Sequence, residues 1–188
     1  IIERKIKDNA VLWLIRKILQ NHRRLVQGKG MPIGNLTSQF FANVYLNELD
    51  QFVEHKLTAR YYIRYVDDFV ILHRDKTMLQ KWKLEIDTFL REELKVELHP
   101  EKSRIIGLRK GIMLLGFRVF SDHKLIKKSN ARRIWKRFTR FKQQYDRGEI
   151  TREEIVKSLE GWLAYAEFAN TYKFRKKVVA RFNELFAI

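Results

Sequence analysis

The chain contains no cysteine. A disulfide framework, a thiolate zinc site and a thiol nucleophile are therefore excluded, and a reducing, cytoplasmic setting is expected. No apolar run approaches the length of a membrane span. There is no internal repeat, low-complexity tract or Pro/Gly/Ser linker. No Ser/His/Asp set falls on turns and no pair of acids lies in a cleft-like context, which sets aside protease and glycosidase chemistry. Acid is also scarce: 22 Asp+Glu stand against 39 Lys+Arg, a net charge of +17.

What is present suits one ordinary globular domain or two small ones, with 188 residues that are 45% hydrophobic and 32% charged. The positive charge is concentrated at one end. Residues 1–102 carry 18 Lys+Arg and 14 Asp+Glu, whereas residues 103–188 carry 21 and 8. Nine bases and no acid lie between Asp122 and Asp146. Such a one-sided excess implies a polyanionic partner. Nucleic acid and anionic lipid both qualify, and the lack of a long Lys-only amphipathic stretch favours nucleic acid.

Hydrophobic periodicity divides the chain into elements. Ile2, Ile6, Val11, Leu14, Ile15 and Ile18, with Trp13 beside them, predict a short helix pair broken around Asp8-Asn9. A basic loop over residues 21–30 follows, serving as a connector or a template contact. Pro32 and Gly34 mark a turn, with Asn35 or Thr37 as cap of a helix reaching about residue 55. The stripe Leu36, Phe40, Phe41, Val44, Tyr45, Leu49, Phe52 and Val53 predicts the core face of that helix.

Tyr61-Tyr62-Ile63 and Phe69-Val70-Ile71-Leu72 are rich in aromatic and β-branched residues and predict two strands. Almost nothing but Asp67-Asp68 separates them, so a tight hairpin with two carboxylates at its tip is expected. Such a pair is either a solvated turn or a site for a hard divalent cation, which removes the mutual repulsion of the carboxylates. A helix over 76–94 and a half-buried strand over Lys95–Leu98 come next. Strands over 104–106 and 112–120, joined by a Lys110-Gly111 turn, are expected after that. From Ser129 or Asn130 as cap the period becomes helical, with Ile134, Trp135, Phe138, Phe141 and Tyr145 inward. Thr151 to Glu154 has capping-box spacing and opens a helix to about 168, with Leu159, Trp162, Leu163, Tyr165, Ala166 and Phe168 as core. Tyr172 to Phe186 form the last helix.

The order Tyr65-Val66-Asp67-Asp68 between two strands resembles motif C of reverse transcriptases. Gly30-Met31-Pro32-Ile33-Gly34-Asn35-Leu36-Thr37-Ser38-Gln39 is similar to that family's motif B. Leu98-His99-Pro100-Glu101-Lys102-Ser103 resembles motif D, and Leu114-Leu115-Gly116-Phe117 resembles motif E, the primer grip. The four blocks stand in the family's order over residues 28–120. Gln39, where most relatives have proline, and the Ile33-Gly34 pair resemble diversity-generating retroelement enzymes most, with group II intron and retron enzymes as neighbours.

The resemblance implies an α+β fold: a right-hand polymerase palm, its antiparallel sheet covered by helices on one face, followed by a three-helix thumb bundle. It divides the chain into partial fingers and palm connections over 1–30, palm over 31–120 and basic thumb over 121–188. It implies RNA-templated DNA synthesis by two-metal nucleotidyl transfer with Mg2+, or alternatively Mn2+, held by Asp67 and Asp68. Lys102 would assist the leaving pyrophosphate, its alternative being a solvated loop lysine. Pro32, Ile33, Gly34, Ser38, Gln39 and Tyr65 would face template and nucleotide. Leu115, Gly116 and Phe117 would hold the primer. Lys128, Arg132, Arg133, Lys136, Arg137 and Arg140 are either a solvated face or, as the lack of acidic partners for intrahelical pairing favours, a nucleic-acid phosphate-binding face of the thumb. The implied partners are an RNA template, a DNA primer, dNTPs, and an accessory protein or a separate N-terminal half.

The family's motif A strand, Asp-X-X-X-X-Phe or similar, is not found. Glu3 and Asp8 are the acids near its expected place, and neither has a strand-like context. The chain opens Ile-Ile-Glu-Arg-Lys, inside a helical pattern and without a signal-peptide layout. It therefore reads as a fragment of a polymerase, inactive alone. The alternative is a non-catalytic nucleic-acid-binding module with a degenerate palm and a basic thumb.

Overall fold

A computed structural model describes residues 1–20 and 36–187. The chain divides into two compact units, Ile1–Ile105 and Ile106–Ile188. The boundary expected at residue 120 falls inside the second unit.

The first unit opens with α1 (Ile2–Lys5) and α2 (Asn9–Gln20). Asp8 breaks them apart because its carboxylate accepts from the backbone N–H of Ala10 and Val11, at 2.8 and 3.0 Å, and so caps α2. The expected turn at Pro32 and Gly34 lies outside the described residues. Helix α3 (Leu36–Gln51) runs on into a π turn over Phe52–Lys56. Strands β1 (Tyr61–Tyr65) and β2 (Asp68–Leu72) then pair antiparallel, and α4 (Lys76–Glu92) follows with Asp75 as its N-cap.

Strand β1 alternates as a half-covered strand should: Tyr61, Ile63 and Tyr65 are exposed, while Tyr62 and Arg64 face inward. Tyr62, Phe69 and Ile71 pack against a core made by Leu49, Val53, Leu57, Ala59, Trp82, Ile86, Leu90 and Leu94. Phe52 and Phe89 stack with centroids 4.3 Å apart, joining the two helices that flank the hairpin. Leu49 is almost fully buried, so its truncation to Ala would cost about 2–5 kcal/mol. Phe40 departs from expectation. It lies on the apolar stripe of α3 but is exposed, whereas its neighbour Phe41 is buried.

The strand expected over Lys95–Leu98 does not form. The backbone there ends α4 instead: Lys95 takes a positive φ of 51°, and Val96 N–H bonds back to the Leu90 carbonyl at 3.1 Å.

The second unit has a three-stranded antiparallel sheet, β3 (Ile112–Leu114), β4 (Phe117–Val119) and β5 (Lys124–Ile126), in that order. No strand forms over 104–106, and the hairpin turns at Leu115-Gly116 rather than Lys110-Gly111. Both residues of that turn have positive φ, 49° and 83°, as a two-residue type I′ turn requires. Residues Leu108–Lys110 form a 3-10 turn instead.

Helices α5 (Lys128–Asp146), α6 (Arg152–Glu167) and α7 (Tyr172–Leu185) complete the unit. They bury Ile134, Phe138, Phe141, Ile155, Leu159, Val178, Phe182 and Phe186 together. The capping box at Thr151 and Glu154 is present with both its bonds. Helix α5 starts at Lys128 with Lys127 at its N-cap position and no side-chain cap, so Ser129 and Asn130, expected as caps, lie inside its first turn, where Asn130 Nδ2 donates to Tyr165 Oη. Phe168, expected in the core, is exposed just past the end of α6. A smaller cluster of Ile126, Ala166 and Ala169, with Phe117, Trp162 and Tyr165, seats the sheet on the bundle. The fold is α+β, an antiparallel hairpin covered by helices and then a sheet with a three-helix bundle.

Candidate active site

Pairing of Tyr65 with Asp68 leaves Val66 and Asp67 as a two-residue turn between β1 and β2. Asp67 sits in the turn and Asp68 is the first residue of β2, and both are exposed. Neither carboxylate has a hydrogen-bond or ion-pair partner among the described residues. Val66 has φ of +56°. A β-branched side chain is unfavourable there, at an order of 1–3 kcal/mol, and surrounding structure must hold it.

That surrounding structure is Arg64. Its Nη1 donates to the Val66 carbonyl at 2.7 Å and to Asn43 Oδ1 at 3.0 Å. Its Nε donates to Asp50 Oδ1 at 2.7 Å, and Nη2 donates to Asp50 Oδ2, a bidentate pair. Tyr62 Oη donates to the same Asp50 oxygen at 2.7 Å. The pair is largely enclosed, with side-chain exposures of 10% for Arg64 and 21% for Asp50.

Burial opposes ionisation of Asp50, but the bonds from Arg64 and Tyr62 and the guanidinium charge outweigh it. Its carboxyl is held below the ordinary aspartate value. The bond to Asp50 raises Arg64, and burial followed by the bond to Asp50 pushes the Tyr62 phenol up.

The other expected site residues are spread over both units. Tyr65 is exposed at the end of β1, beside the acidic pair. Ser38 and Gln39 lie in the first turn of α3, and Pro32, Ile33 and Gly34 lie outside the described residues. Lys102 is exposed on a tight turn in which Ser103 N–H bonds the His99 carbonyl at 3.0 Å. Lys83 of α4 anchors this turn by donating to the Ser103 carbonyl at 2.6 Å. His99 accepts from Glu101 N–H at 3.3 Å, which is a turn-forming role.

In the second unit, Leu115 and Gly116 are the β3–β4 turn and Phe117 begins β4. On α5, Lys128, Arg132, Arg133, Lys136 and Arg140 are exposed, while Arg137 is half-buried and donates to Ser158 Oγ at 3.3 Å.

Sequence reasoning did not single out Asp50, Asn43 and Arg64. A signal existed, since strict alternation places Arg64 on the inward face with Tyr62, where a charge needs a partner.

Among the described residues, no three His, Cys, Asp or Glu side chains come together to hold a metal ion. Asp67 and Asp68 by themselves fit a hard divalent cation in donor type, being adjacent, solvent-facing and without competing partners. No helix among the described residues is long and apolar enough to cross a membrane.

No curated protein matches the chain. The family model for reverse transcriptase (RNA-dependent DNA polymerase) matches residues 3–119, which takes in the acidic hairpin, the Lys102 turn and the Leu115-Gly116 turn. Through that match over more than half its length, the chain belongs to the reverse transcriptase (RNA-dependent DNA polymerase) family.

Proposed function

We propose that this chain supplies the palm and thumb portions of an RNA-templated DNA polymerase of the diversity-generating retroelement type. The observation that carries the reading is a pair of exposed, unpartnered carboxylates, Asp67 and Asp68, on a turn whose Val66 carbonyl accepts a hydrogen bond from Arg64. Magnesium, or manganese in its place, would activate the primer 3′ oxygen and neutralise the triphosphate when held there. Asp67 and Asp68 provide hard oxygen ligands, and Tyr65 is the cross-strand partner of Asp68 at the end of β1.

Lys102 offers an ammonium, on a turn anchored by Lys83, to the departing pyrophosphate. Ser38, Gln39, Pro32, Ile33 and Gly34 are the residues assigned to nucleotide and template contact on this reading. Leu115, Gly116 and Phe117 hold the primer backbone, and the bases of α5 hold phosphates behind it. The palm extends over residues 31–120 and the thumb over 121–188. An accessory basic protein fits this subtype as partner.

The family's third carboxylate, on its motif A strand, is not found in the sequence, and on this reading the chain alone is expected not to extend a primer. The test is primer extension on an RNA template with magnesium, using the chain alone and then with a separately made segment bearing the family's motif A strand. Extension in the mixture only, abolished by D67N/D68N, supports the reading. Extension by the chain alone overturns the requirement for the added carboxylate. Persistent silence with tight primer–template binding favours a non-catalytic binding module, for which the same lack of a third acid also speaks. Such a module would bind nucleic acid as well or better after D67N/D68N, because two negative charges beside a polyanion are removed.

A further inference from the structure

We infer that Arg64 is a positioning residue that sets the direction of Asp67, and that Asp50 orients Arg64 for that task. The inference rests on the reading of Asp67 as a metal-binding carboxylate.

Of the groups gripped by the Arg64 guanidinium, one belongs to the turn itself, the Val66 carbonyl at 2.7 Å. That carbonyl is half of the peptide joining Val66 to Asp67. The peptide is planar, so fixing its oxygen fixes its N–H and the direction in which the Asp67 Cα leaves it. A hydrogen bond from a charged donor is about twice as strong as a neutral one, and it is available only while the carbonyl points at Arg64.

The turn needs such a hold. Val66 at φ +56° has a conformation that β-branched residues avoid, and a two-residue hairpin loop of this kind is normally built with glycine. Nothing in the valine side chain favours the observed backbone.

The guanidinium is in turn not free to choose its orientation. Two bonds to Asp50 and one to Asn43, both on α3, fix its plane, and Tyr62 secures the Asp50 carboxylate from the same face of β1. A lysine could neutralise Asp50 but has no planar fork with which to serve Asp50, Asn43 and Val66 together. The pair with Asp50 would anchor the guanidinium to the fold by itself; the bond to Val66 is the part that reaches the turn carrying Asp67.

The test is amide NMR of the labelled chain as wild type, R64K, R64M and D50N, each titrated with Mn2+. R64K keeps a charge against Asp50 and protects the experiment if R64M does not fold. Expected in R64K and D50N are Tyr61–Leu72 strand pairing retained, Val66 and Asp67 backbone resonances displaced, and Asp67–Asp68 hydrogen exchange accelerated at least tenfold. The Mn2+ concentration that half-broadens the Asp67 amide should rise at least tenfold. Unchanged Val66 and Asp67 resonances in R64K and R64M would overturn the inference, whatever happens to overall stability. If Mn2+ leaves the wild-type Asp67 and Asp68 amides sharp, it is the metal reading that fails, and the resonance comparison still decides the positioning role.

Discussion

The Tyr165 hydroxyl donates to the Gly116 carbonyl at 3.1 Å, bridging 49 residues of sequence. Asn130 Nδ2 donates to the same hydroxyl at 3.1 Å, and Lys127 N–H bonds the Gly116 carbonyl at 2.9 Å. The β3–β4 turn is thus held by the start of α5 and the end of α6 at once. Phe117 packs on the Tyr165 ring with centroids 4.7 Å apart, so the ring has little freedom to withdraw. The proposed primer-grip turn and the helical bundle are built as one piece.

G116A should therefore destabilise the second unit by about 2–3 kcal/mol. Alanine is strained at φ +83°, and its Cβ would lie 2.6 Å from Tyr165 Oη and 2.7 Å from Asn130 Nδ2. Urea unfolding of the chain measures this. A loss below about 0.5 kcal/mol, the size of an ordinary surface change, would show that the turn is not clamped as described.

Much of the fold is legible in local pattern. The Tyr61–Leu72 hairpin, the helices and the Thr151 capping box follow from periodicity and cap chemistry that act within a few residues. What is not legible depends on distant partners. Lys110-Gly111 and Leu115-Gly116 offer similar turn signals, and Tyr165 and Asn130 decide between them from other elements. Lys95–Leu98 alternates as a strand does, but the end of α4 recruits that backbone. Phe40 and Phe168 read as core because aromatics usually are, yet both are exposed. At the candidate site the acidic pair is visible in the sequence. The brace beneath it is not, because Asp50 and Arg64 become neighbours only when α3 packs on β1.

T151A should lower stability by about 1 kcal/mol. The Thr151 hydroxyl accepts from Glu154 N–H at 3.3 Å, and Thr151 N–H donates to the Glu154 carboxylate at 2.9 Å. Removing the hydroxyl leaves the reciprocal bond intact, so the loss is that of a cap and not of the helix. The denaturation midpoint should fall with an unchanged m-value, and T151S should restore it.

Acid should weaken the brace beneath the acidic turn. Asp50 has a lowered value in the folded chain, so its stabilisation is complete above the ordinary aspartate value near 4. It is lost as pH falls from there through the lower folded value. Wild type should lose stability over that window more steeply than D50N, which has no proton to take up. At neutral pH, D50N itself should cost about 1–3 kcal/mol, since it leaves a largely enclosed guanidinium without its counter-charge. Parallel stability curves for the two proteins between pH 6 and the acid limit would contradict the role given to Asp50.

The basic residues of α5 should separate into two kinds when primer–template binding is measured against salt. Removing one side chain that neutralises a phosphate lowers the slope of log K on log salt by about 0.7–0.9. Arg133 and Lys136 are exposed and have no acidic partner among the described residues, so R133A and K136A should each show about that decrement. Arg137 is half-buried and bonded to Ser158 on α6. Its guanidinium is held by the bundle, so R137A should change the slope much less while costing some stability. Lys142 is paired with Asp146 at 2.6 Å, which cancels much of its charge, and K142A should also be weak. Equal decrements at all four positions would mean that binding follows net charge alone. Loss confined to Arg133 and Lys136 identifies an oriented phosphate-binding face, with the helix presenting its unpaired bases to nucleic acid while Arg137 is engaged by the bundle and Lys142 by Asp146 of the same helix.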